Sequence, residues 1–134
     1  MFSHVTVGAN DYAKARTFYD AVLTPLGLRC FGEWPDAGWA AYRGEAPVPS
    51  FWIARPRNGE PATQGNGSMT AFSAPDEAAV HAAHAAGLAA GGSCEGPPGP
   101  RPKFGDFYAA YLRDPEGNKL CVVCRTPSKA GAPA

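Results

Sequence analysis

From Phe2 to Gly8 apolar and polar residues alternate, with Val5 and Val7 on one side and His4 and Thr6 on the other. That is the period-two pattern of a strand with one covered face. The period then changes. Ala15, Phe18, Tyr19, Val22 and Leu23 recur at helical spacing over residues 12–23, and Asp11 stands where an N-cap carboxylate would accept orphan backbone N–H groups. Pro25 and Gly27 close this helix. Short aromatic-rich strands are predicted at 28–34, 38–43 and 50–54, separated by Pro35-Asp36 and by residues 44–49. A polar stretch over 55–66 follows.

The same order then begins again. Residues 68–73 read as a strand, Pro75, Asp76 and Glu77 open an Ala-rich helix running to about residue 90, and Gly91-Gly92 ends it. Residues 96–104 contain four prolines and two glycines and are predicted to be irregular. Two final strands, 107–113 and 119–125, flank the turn signal Asp114-Pro115-Glu116-Gly117-Asn118. An offset of 65 carries Asp11 onto Asp76, Val7 onto Phe72, His4 onto Met69, Leu23 onto Leu88 and Gly27 onto Gly92. Strand, cap, helix and closing glycine coincide, which predicts a duplicated unit. The expected fold is α+β: two βαβββ modules forming a curved mixed sheet around a cavity. They make one domain over residues 1–126, with module one at about 1–58, a linker at about 59–65 and module two at about 66–126. A flexible tail is expected at 127–134. Each module has one helix to cover one face of its sheet. The other face is left for the partner module or a second chain, and is the expected ligand surface.

Composition narrows the function. Twelve basic residues balance 12 acidic ones, which argues against a nucleic-acid binder, since neutralising phosphates needs a surplus of Lys and Arg. No apolar run approaches the ~20 residues of a membrane-spanning helix. The opening Met1-Phe2-Ser3-His4 has neither the basic nor the apolar region of a signal peptide, so a soluble cytoplasmic protein is expected. The four cysteines, Cys30, Cys94, Cys121 and Cys124, then read as free thiols. Cys121 and Cys124 are three apart on a strand and point to opposite faces, so they make no redox or zinc pair. Glu77, His81 and His84 have a spacing that could hold a metal, but the helix should turn Val80, Ala83 and Gly87 to the sheet, leaving His81 exposed and His84 marginal.

The opening His4-Val-Thr-Val, with Asp11, Phe18-Tyr19 and Leu26-Gly27, resembles the first module of the glyoxalase/bleomycin-resistance/extradiol-dioxygenase group, the vicinal oxygen chelate superfamily. Gly67-Ser-Met-Thr-Ala-Phe72, Gly91-Gly92, Gly96-Pro-Pro-Gly-Pro-Arg101 and Ala110-Tyr-Leu-Arg-Asp-Pro-Glu-Gly-Asn118 are similar to its second module. The resemblance implies a divalent metal held by one residue on each of four strands. Those positions fall on His4, Trp52, Met69 and Cys121. Only His4 is a usual ligand of that site, so no metal site and no cofactor are expected, and any divalent metal would meet replaced ligands. The resemblance also puts His4 and Cys121 on one concave face, where they could act as a base and a nucleophile or ligand. It sets Arg101 beside the cavity, where it could hold a carboxylate or phosphate. With Trp52, Met69, Arg101 and Tyr108 as expected ligand-binding residues, two readings stand. One is a homodimer that binds a small organic molecule without a metal; the other is a lyase, isomerase or dioxygenase with an atypical His4/Cys121 site.

Overall fold

The computed structural model describes residues 1–125, so the tail expected at 127–134 lies outside the described residues. The first half runs β1 (His4–Gly8), α1 (Tyr12–Leu23), β2 (Arg29–Trp34), β3 (Trp39–Arg43) and β4 (Ser50–Ala54). The second half repeats it as β5 (Thr70–Ser73), α2 (Glu77–Ala89), β6 (Ser93–Pro100), β7 (Tyr108–Arg113) and β8 (Lys119–Cys124). Between the halves, residues 55–69 form neither helix nor strand. Both caps form as the spacing predicts: Lys14 N–H donates to Asp11 Oδ1 at 3.0 Å, and Ala79 N–H to Asp76 Oδ1 at 2.8 Å.

Each module builds one four-stranded sheet, in the orders β1-β4-β3-β2 and β5-β8-β7-β6. The helix connection makes β1 parallel to β4 and β5 parallel to β8, and the remaining pairs are antiparallel. The two mixed sheets are not hydrogen-bonded to each other. They share one core instead. Phe18, Tyr19 and Val22 of α1 and Val80 and Ala83 of α2 pack with Tyr42, Phe51 and Ile53 of the first sheet and Leu112, Leu120 and Val122 of the second. The helices approach closely because Gly92 follows α2 where a side chain would not fit. A Cβ there would collide with the Phe18 ring and lie 2.7 Å from the Arg113 carbonyl oxygen.

The Asp114–Asn118 turn ties the modules together. The buried Asp114 carboxylate accepts the Tyr19 hydroxyl at 2.6 Å, the N–H groups of Glu116 and Asn118 at 2.8 and 2.9 Å, and Asn118 Nδ2 at 2.9 Å. Asn118 Nδ2 also donates to the Gly8 carbonyl at 2.9 Å, and Glu116 accepts the N–H groups of Asn10 and Asp11 at 2.8 and 2.9 Å. Burial, reinforced by the Asp114 charge, pushes the Tyr19 hydroxyl well above its usual range, so it remains a donor.

One sequence expectation is corrected. Residues 96–104 are not wholly irregular, because β6 continues to Pro100 and Pro102–Phe104 forms a 3-10 turn. β6 lies at the edge of its sheet, where prolines remove donors that the sheet does not use. The cost appears in the register, which shifts between Cys94 and Gly96 and again between Gly96 and Gly99.

Candidate functional site on the open sheet faces

Alternation along the strands sorts each sheet into a helix-covered face and an open one. Phe51 and Ile53 of β4 enter the core, so Trp52 points outward, and Thr6 of β1 pairs with it in register. His4, Thr6, Trp39, Trp52, Ala54 and Arg57 line a shallow cavity of about 360 Å³ on this face. All three tryptophans of the chain gather here. Trp34 stacks on Trp52 with ring centroids 5.6 Å apart and planes 9° from parallel, while Phe31 meets Trp52 edge-on at 6.1 Å. Gly32 makes room for this, since a Cβ there would lie 2.8 Å from the Trp34 ring. The rings are far from enclosed: Phe31 is 40% exposed, Trp34 45% and Trp39 37%.

Cations border the aromatic wall. The Arg43 guanidinium lies over the Phe31 ring at 4.2 Å. Arg55 packs along Gly38, just before Trp39, and its N–H donates to the Gly38 carbonyl at 3.1 Å. Arg57 has no ion pair or hydrogen-bond partner among the described residues.

The open face of the second sheet has a different centre. Cys121 is fully buried there with Ala109 and Val123, beneath Phe107 and Tyr111. Burial pushes its thiol above the usual value, against a hydrogen bond with Tyr111 and the charges of Arg101, Arg125 and Lys119, which lower it. The thiol is therefore protonated at neutral pH. Arg101 lies over the Tyr111 ring at 5.5 Å and donates to the carbonyls of Pro97, Gly99 and Pro100 at 2.7, 2.9 and 3.4 Å. It clamps the irregular end of β6.

The expected site residues thus distribute over different surroundings. His4 and Trp52 meet on one face, with ring centroids 6.3 Å apart. The His4 ring shares a hydrogen bond with the Ser3 hydroxyl at 3.0 Å, and none links it to Cys121. Met69 precedes β5, is 48% exposed and borders a hollow of about 30 Å³ with Val7, Asn118 and Lys119. Tyr108 packs against the core on the helix side, where its hydroxyl is 2.6 Å from His81 Nε2. Tyr111, which pairs with Cys121 in register, faces the open side instead. Counting parity from Cys121 would have selected Tyr111, because Tyr108 is an odd number of residues away from it along the same strand.

His84 is buried, and its Nε2 lies 3.2 Å from Cys94 Sγ, so it is not part of a solvated face. Cys121 and Cys124 do point to opposite faces, one into each apolar cluster. Larger hollows, of about 440 Å³ by Lys14, Thr17 and Gly91 and 390 Å³ by Gly27, Glu45 and Phe72, each contain a single charged side chain.

The donor set does not fit the superfamily's metal. Trp52 has only an N–H, which it donates to the Ser50 hydroxyl at 2.9 Å, Met69 offers only a thioether, and the Cys121 side chain is fully covered. Among the described residues no three His, Cys, Asp or Glu side chains converge as metal ligands.

Duplicated modules, mixed sheets and the helix-bridged core define the class. The model of the Glyoxalase/Bleomycin resistance protein/Dioxygenase superfamily matches residues 1–122, and the chain belongs to that family. Among solved structures it is similar to a glyoxalase/bleomycin resistance protein from Albidiferax ferrireducens T118, with 48% identity and a TM-score of 0.82, over 94% of this chain and 99% of that one. A glyoxalase-related enzyme from Fulvimarina pelagi shares the fold at 18% identity, with a TM-score of 0.72 and 92% and 87% of the two chains covered. So does a family enzyme from Burkholderia phytofirmans PsJN, at 18% identity, TM-score 0.70 and coverages of 92% and 98%. A search of the curated proteins found no match.

Proposed function

We propose that this protein binds a small organic molecule on the open face of its first sheet without a metal. The observation that carries this reading is the exposed wall of Trp34, Trp39 and Trp52 beside His4 and Arg57. It is a surface of planar apolar contacts with a few polar groups, as ligand sites commonly are. The exposed rings also support a homodimer in which a second chain covers this face and deepens the cavity. Four free thiols suit a cytoplasmic setting.

The enzymatic alternative, with His4 as base and Cys121 as nucleophile or ligand, is weaker. Cys121 is sealed beneath Tyr111 and held protonated by burial, and His4 has its hydrogen bond elsewhere. The Albidiferax relative is named for both glyoxalase and bleomycin resistance, so its name does not choose between catalysis and binding.

The test is metal content after purification without chelator, followed by melting with added Mn²⁺, Ni²⁺ or Zn²⁺. The proposal expects substoichiometric metal and an unchanged Tm. A specific metal at 100 times its Kd would add about 2.7 kcal/mol, and such a shift would return the reading to a metalloenzyme.

A further inference from the structure

Net charge is zero, but seven of the 12 acids are engaged in helix caps, in the turn between the modules and in side-chain pairs. Asp11 and Asp76 cap the helices, and Asp114 and Glu116 hold the turn that joins the modules. Asp20 accepts the Tyr42 hydroxyl at 2.8 Å, Glu33 pairs with Arg16 at 2.9 Å on the helix side, and Glu95 pairs with Arg113 at 3.3 Å. Cations border both open faces. Arg43, Arg55 and Arg57 border the tryptophan wall, and no carboxylate lines the cavity at His4. Asp36 lies in the β2–β3 turn, outside that lining. On the second sheet Arg101 and Lys119 each lie 5.5 Å from the Tyr111 ring centre, and Arg125 lies 5.0 Å from that of Phe107.

We propose that the ligand of the first open face is a planar organic anion, an aromatic carboxylate or its equivalent, stacking on the tryptophan wall with its charge at Arg57. This rests on the ligand-binding reading above and adds its chemical class. Stacking requires a flat apolar body, since Trp52 and Trp39 present rings to the cavity. The guanidinium of Arg57, with no ion pair or hydrogen-bond partner among the described residues, offers a planar fork that matches a carboxylate at two points. A cationic ligand would meet like charge at Arg57, with Arg43 and Arg55 nearby, and no carboxylate among the described residues lines the cavity. Across a dimer, Arg101, Lys119 and Arg125 beside Tyr111 and Phe107 of the second open face would add further cations. An anion between them would then relieve repulsion as well as fill space.

Calorimetric titration of the EDTA-treated protein compares three probes of one shape: 2-naphthoate, neutral 2-naphthamide and cationic 2-naphthylmethylammonium. The expected order is naphthoate first, with an affinity about tenfold above the cation, and a preference that shrinks as salt rises. Arg57→Gln, an exposed position whose change leaves the core intact, is expected to bring naphthoate down to the level of the amide. Equal binding of all three probes overturns the anion inference and leaves the ligand reading standing. Binding of none of them to millimolar concentration overturns both. An anion preference that survives Arg57→Gln and Arg55→Gln together overturns the assignment to this face.

Discussion

Cysteine environment separates the thiols sharply. Cys94 is exposed beside His84, whereas Cys121 and Cys124 are buried in opposite clusters with their thiols pushed up by burial. Iodoacetamide at pH 7.5 is therefore expected to modify Cys94 well before Cys121 or Cys124, as read by peptide mass spectrometry. Rapid labelling of Cys121 would contradict the closed surface described for it. His84 carries a pH prediction. Burial, aided by the neighbouring His81 charge, lowers its affinity for a proton below the ordinary 6.5. The unfolded chain then binds that proton more readily than the folded one. Stability is fully present above about pH 6.5 and declines as the pH falls toward the lower folded value. Melting between pH 7.5 and 5.5 should show this decline in the wild type and a flatter profile in His84→Gln. Identical slopes would exclude His84 as the cause. Parity in the sequence separates Cys121 from Cys124, and the family resemblance is what marks Trp52 and Cys121 as residues of the open faces. Tyr108 packs on the helix side, an odd number of residues from the open-facing Tyr111, and aromatic character alone does not reveal that difference in the sequence.

Strands and helices followed from local signals wherever one face was covered. Both helices start at the aspartates that the spacing identifies, and the offset of 65 maps one cap onto the other. β6 was hidden because its prolines argue against a strand, and only its edge position makes them tolerable. Local signals mark the Asp114–Asn118 segment as a turn, and the family resemblance includes it. In the fold its side chains span both modules, a long-range role that no local pattern encodes. Asp114→Ala removes a buried charged acceptor from Tyr19 and from three donors of the turn, and is expected to cost about 3 kcal/mol in denaturant unfolding. A loss below about 0.5 kcal/mol, the scale of ordinary surface changes, would mean that the turn does not hold the modules together. Gly92→Ala tests the helix approach in the same way, with about 2 kcal/mol expected from overpacking against Phe18 and the Arg113 carbonyl.

The arrangement of the two sheets was the least legible feature. Duplication predicted two modules, but one chain's sequence does not say how their helices pack, and that packing decides where each open face looks. A shared core formed by α1 and α2 leaves His4 with Trp52 on one sheet and Cys121 with Tyr111 on the other. The four carboxylates that cap the helices and hold the turn, Asp11, Asp76, Asp114 and Glu116, are engaged away from the cavity at His4. The central claim is that the tryptophan wall binds a planar ligand without a metal, and the three indole N–H groups report on it directly. In ¹⁵N-labelled, EDTA-treated protein, addition of 2-naphthoate should shift the indole resonances of Trp34, Trp39 and Trp52 together and saturably. Indole signals that stay fixed, or that move only after a divalent metal is supplied, would contradict the account.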